Sequence, residues 1–125
     1  MKIIKPLQFF IFIVYTIFVL TLSFDPMNTS RRFRLFEYDK YIHFTEYLLF
    51  GILLLNSIRF NVVKKIQIIL ISFFILFIPI IDESIQYFVP HRVADPFDLL
   101  FDYFGILVGV ILVFIYRYYV EKNKY

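Results

Sequence analysis

The chain has 125 residues, of which 61% are apolar and 18% charged, and a formal net charge of +3. Soluble domains run at about 45–50% apolar and about 25% charged, and a short chain has much surface for its volume, so this composition excludes a soluble globular domain and a disordered chain alike. Cysteine is absent, which removes disulfides, thiolate metal sites, cysteine nucleophiles and lipoprotein acylation.

A membrane-crossing helix needs about 20 apolar residues at about 1.5 Å rise each. The first such stretch runs from Leu7 to Phe24, behind Lys2 and Lys5. It resembles a secretory signal in its basic start, but Ser23-Phe24-Asp25-Pro26 is a poor cleavage site, so it reads as an uncleaved first span. A polar, basic connection follows, with Arg31, Arg32 and Arg34, and Pro26 and Asn28 favour a turn in it. That basic run reads as a solvated loop able to touch anionic headgroups. The second stretch runs from Tyr41 to Ile58, the third from Ile66 to Val89 and the fourth from Phe97 to Tyr119. Arg59 to Lys65 and Pro90 to Pro96 are short connections, and the tail from Glu121 is charged. The apolar runs are continuous rather than alternating and too few to close a barrel. The expected fold is therefore all-α: an integral membrane bundle of four transmembrane helices, forming one domain over residues 1–125.

Four spans place both termini on one side. That side carries eight basic residues against five on the other, which favours cytoplasmic termini in a plasma membrane. Nine of the ten acidic residues fall in the opposite half, a bias that topology rules do not explain because Asp and Glu contribute little to them. Several of these acids lie within apolar runs. Asp82 is about 25 Å along the third helix from Lys65, His43 and Glu46 are about 6 and 10 Å below Asp39, and Asp102 is about 10 Å below Asp95. Asp39, His43, Glu46 and Tyr47 share one helical face, as do Asp95, Asp98, Asp102, Gly105 and Gly109. Asp82, Glu83 and Gln86 share the last turn of the third span. Charged groups at such depth face a bundle interior or a wet cavity, and the glycines admit a close neighbouring helix. The sequence thus predicts an outward polar pocket between spans two, three and four. Tyr38, Tyr41, Tyr116, Tyr118 and Tyr119 are placed as interfacial anchors.

These same residues resemble a family pattern. Asp39-Lys40-x-x-His43-Phe44-x-Glu46-Tyr47-x-x-Phe50-Gly51 is similar to the second-span motif of the VanZ-like family, and Asp82-Glu83-x-x-Gln86-x-Phe88-x-Pro90-x-Arg92 to its third-span and loop motif. Asp98 with Gly105 and Gly109 resembles its last-span motif. The chain departs from the pattern at His91, where Gly often precedes the Arg, and at Asp102, often Asn. The resemblance covers roughly residues 39–109. It implies a small bacterial cell-envelope membrane protein, in a family named for a protein associated with low-level teicoplanin resistance, and it supplies no mechanism.

Three functions remain open. The leading expectation is binding of a phosphate-bearing lipid or lipid-linked wall-precursor headgroup by Asp39, Lys40, His43, Glu46, Asp82, Glu83, Gln86, Arg92 and Asp98, with Arg92 as the phosphate clamp; an ion pair from Arg92 to Asp95 or Asp98 is the plainer role. The second is an integral membrane enzyme in which Asp82 or Glu83 is the general acid or base and His43 assists. The third is a non-catalytic structural module, or a carrier assembled from several copies as a homo-oligomer. No nucleic-acid partner is expected. No cofactor is predicted: His43 and Glu46 with Asp82, Glu83 or Asp98 have donor types suited to zinc, manganese or iron, but a second His ligand is lacking. Ser84 reads as buried among the acids without His43 in obvious reach.

Overall fold

The computed structural model describes residues 4–25, 38–59, 65–92 and 94–123, without the side chain of Glu121. The expected turn at Pro26 and Asn28, the basic run Arg31-Arg32-Phe33-Arg34 and most of the connection before Lys65 lie outside the described residues.

The described residues hold four helices and no strand: α1, Pro6–Ser23; α2, Asp39–Asn56; α3, Lys65–Phe88; and α4, Pro96–Lys122. Three of them begin where local chemistry directs. Pro6 is the first residue of α1, after an extended Lys5, a place where the missing proline N–H costs nothing. Asp39 opens α2 with a negative charge at the positive end of the helix dipole. Asp95 caps α4: its Oδ1 accepts the Phe97 N–H at 2.9 Å, and Pro96 takes the first helical position. Between α3 and α4, the Arg92 N–H donates to the Val89 carbonyl at 3.2 Å, and His91 between them has φ 67°. With Pro90 in the preceding position this is a type II turn, whose third residue must adopt a positive φ.

The helices run up and down. At one end the Lys5 N–H donates to the Ser57 carbonyl at 2.9 Å beside an isolated antiparallel bridge, Ile4 to Ile58. There too Gln67 donates to the Arg59 carbonyl at 2.6 Å and Arg117 to the Leu55 carbonyl at 2.8 Å. The start of α1, the end of α2, the start of α3 and the end of α4 thus share one end of the bundle.

Three helices, α1, α3 and Pro96–Val120 of α4, are long and apolar enough to cross a membrane. α2 has the length, but Asp39, Lys40 and Glu46 lower its apolar character. The outward faces carry apolar residues from end to end, among them Leu7, Phe10, Ile69, Phe73, Leu107 and Phe114, all exposed, as lipid-facing surfaces require and water-facing ones rarely allow. Tyr38, Tyr41, Tyr116, Tyr118 and Tyr119 are likewise exposed, at helix ends.

Inside, Phe12, Tyr47, Phe50, Leu54, Ile78 and Ile106 form the core. The Phe12 ring packs edge-on against Phe50 of α2 and Phe74 of α3, with centroids 5.1 and 5.0 Å away. The tightest seam joins α2 to α4. A Cβ on Gly51 would stand 2.8 Å from the Ile106 carbonyl oxygen, and one on Gly105 or Gly109 would strike the carbonyls of Phe44 and Leu48. Pro79 lies inside α3, where it removes the helical donor of the Ile75 carbonyl, and the Tyr103 hydroxyl of α4 donates to the neighbouring Leu76 carbonyl at 2.9 Å.

Candidate functional site

The polar interior lies at the end opposite the Lys5–Ser57 contact. Its centre is built by α2, α3 and α4. His43 of α2 places Nδ1 2.9 Å from Oδ1 of Asp102 on α4, and both side chains are buried, at 3% and 0% exposure. Asp82 of α3, 1% exposed, accepts the Tyr47 hydroxyl at 2.9 Å on one oxygen and the Ser23 hydroxyl of α1 on the other. Gln86, one turn further along α3 and also buried, bonds Asp82 as well. The carboxylate of Asp82 is therefore oriented from α1, α2 and its own helix.

The rim is built by the first turns of α2 and α4. Lys40 Nζ reaches Asp95 at 2.9 Å and the buried Asp98 at 3.3 Å. The Phe97 backbone N–H and then the Lys40 ammonium hold the Asp95 carboxyl below its ordinary pKa. Asp39 is half-buried, and it can bring a ligand atom within 4.8 Å of ones from His43 and Asp98. Glu46 and Glu83 are half-buried and face the same charges, His43 and Asp102 among them. Two oxygens of the cluster, Glu83 Oε1 and Asp102 Oδ2, are buried with no hydrogen-bond partner among the described residues.

All nine residues that the sequence proposes for the site thus gather at one end of the bundle. Arg92 differs from expectation in its partners: it donates to the backbone carbonyls of Leu22 at 2.9 Å and Asp25 at 3.2 Å, and so fastens the end of α1, while Asp95 and Asp98 pair with Lys40. Ser84 is not buried among the acids. It is exposed, with its hydroxyl turned to the Ile80 carbonyl of its own helix at 2.6 Å, because it follows Asp82 by two residues and so lies well round the helix from it.

Three central residues were outside the sequence-derived site. Asp102 was noted on the right face and at the right depth, yet counted only as a departure from the family pattern. Tyr47 shares the His43 and Glu46 face, but the sequence assigns its hydroxyl no partner. Ser23 belongs to α1, which the expected pocket omitted. The signal available for all three was depth: each is a polar group at the level of Asp82.

An apolar slot of about 550 Å³ lies at the same end of the bundle, on the outer side of α3 near the end of α1, lined by Phe24, Ile81, Ser84, Ile85, Phe88, Val89 and Pro90. Arg92 adjoins it, two residues from Pro90 and bonded on either side of Phe24.

The family model described as VanZ/LLP1 matches residues 6–117. Neither a curated protein nor a solved structure matches the chain.

Proposed function

The chain belongs to the VanZ/LLP1 family, and from that premise we propose that it is a four-span plasma-membrane protein of a bacterial envelope, with cytoplasmic termini, that binds a phosphate-bearing lipid or lipid-linked wall-precursor headgroup. The observation carrying this reading is the pairing of a polar end with an apolar slot. Lys40 stands at the rim of a buried His–carboxylate cluster, Arg92 fastens the end of α1 at the same end of the bundle, and the slot beside Arg92 suits an acyl chain. Guanidinium and ammonium groups supply the donors a phosphate takes. An effect on teicoplanin susceptibility belongs to the same proposal.

Native mass spectrometry of the purified protein tests it. Phosphatidylglycerol and undecaprenyl phosphate are expected to stay bound, diacylglycerol is not, and Lys40→Ala or Arg92→Lys is expected to weaken retention several-fold. Equal retention of diacylglycerol, or indifference to both substitutions, overturns the reading. A deletion strain with unchanged teicoplanin susceptibility removes the antibiotic part.

One contact favours a second reading, an enzyme acting on a lipid-linked substrate. The His43–Asp102 contact of 2.9 Å fixes an imidazole through a carboxylate, as general-base catalysis requires. Turnover of lipid-linked phosphates that His43→Gln abolishes supports it; no turnover of any lipid class, with and without divalent metal, refutes it.

A further inference from the structure

We propose that His43, Asp82 and Asp102 form a binding site for a first-row divalent transition cation. One ligand atom from each can lie within 4.8 Å of the others, and all three side chains are buried. Metal–ligand distances of about 2.0–2.2 Å place neighbouring ligands about 3–3.5 Å apart, and His43 Nδ1 and Asp102 Oδ1, now joined by a hydrogen bond, stand at 2.9 Å, close to that spacing. An imidazole nitrogen with two carboxylate oxygens suits zinc, manganese or iron better than magnesium or calcium, which prefer oxygen throughout.

Two further observations separate this site from a mere acidic cluster. Asp102 is fully buried, yet its Oδ2 has no hydrogen-bond partner among the described residues. A buried orphan oxygen is costly unless something positive meets it. Asp82, in contrast, receives hydroxyl hydrogens from Tyr47 and Ser23, the outer support that orients ligating carboxylates in metal sites.

A second triad, Asp39, His43 and Asp98, shares His43 and lies nearer the rim, with Asp39 half-buried. α2 thus offers Asp39 and His43, and α4 offers Asp98 and Asp102, each pair one turn apart on facing helices. The two triads form a stepped path from the rim to the buried site. A cation there also lets an acid-rich cluster receive phosphate, and that last step rests on the headgroup reading above.

The test uses the full chain in detergent without added lipid. Co²⁺ absorption and calorimetry with Zn²⁺ and Mn²⁺ are expected to show one cation per chain. His43→Gln, Asp82→Asn and Asp102→Asn are each expected to weaken binding at least 10-fold, with Ser84→Ala unchanged. No uptake by the unaltered chain overturns the proposal, as does full-strength uptake by all three variants. Should those variants fail to accumulate, pulsed electron paramagnetic resonance of Mn²⁺ decides the matter in the His91→Gly chain. The sequence has two histidines, so there a coordinated nitrogen from imidazole can only be that of His43, and its absence refutes the site. Phosphatidylglycerol retention measured with and without chelator separates the two claims. Cation uptake with no phosphate selectivity removes the headgroup reading alone. Phosphate selectivity with no cation uptake removes the metal site alone.

Discussion

His91 holds a left-handed backbone without being glycine, which costs an L-residue about 1–2 kcal/mol. His91→Gly is expected to raise stability by about 1 kcal/mol, seen as a higher melting temperature in detergent; no gain argues against strain there. Asp95 makes a second prediction at this scale. Its N-cap bond to Phe97 makes Asp95→Ala destabilising by about 0.5–2 kcal/mol. Because its carboxyl is held below the ordinary value, the fold favours the ionised form. That contribution is complete above pH about 4 and is lost as pH falls through the lower folded value. Thermal melts of the unaltered chain should steepen their decline below pH about 4, and Asp95→Ala should remove that part of the slope. Such single residues also show how far a sequence can be read. His43, Asp82 and Asp98 were legible because a charge inside an apolar run has few uses. Ser23 and Tyr47 were not, because a hydroxyl is cheap at this depth and only a partner 59 or 35 residues away gives it a role.

The four helices themselves were legible to within a few residues, since apolar runs bounded by charges, Pro6, Asp39 and Pro96 leave little choice of where a helix starts. Which helices pack most closely was legible only in part. Gly105 and Gly109 marked one face of α4, but their seating on the Phe44 and Leu48 carbonyls of α2 depends on a register that periodicity does not fix. The seam yields a graded prediction. Gly105→Ala and Gly109→Ala drive a methyl into backbone that cannot yield and should cost about 1–3 kcal/mol, measured by denaturant unfolding in micelles. Gly51→Ala, which meets Ile106 at 2.8 Å, should cost less. Equal and negligible losses at all three positions would show that the helices are not held this closely. The seam also sets the site: Asp102 lies one turn before Gly105, so any widening of the α2–α4 gap should separate His43 from Asp102.

For the whole molecule, the contacts at Lys5 and Arg117 put the start of α1 and the end of α4 together, away from His43 and Asp102. In the four-span reading, reagents outside the cell should therefore label a cysteine at position 90 and spare one at position 123; the native chain has no cysteine to confuse the result. Labelling at 123 alone would invert the orientation. The composition announced a membrane protein from the outset, yet it could not reveal that the four helices are unequal. α2, with Asp39, Lys40 and Glu46, is the least apolar of the four, and it is also the one packed most closely against α4. These two properties together make a statement about biosynthesis. A growing chain presents α2 to the insertion machinery long before α4 exists, so α2 should enter the membrane late, or enter and slip back, until its partner arrives. A nascent chain stopped after residue 92 should leave a label at position 57 accessible from the side where α2 begins, and extension through α4 should withdraw it. On the four-span reading, α4 would then complete the insertion of α2.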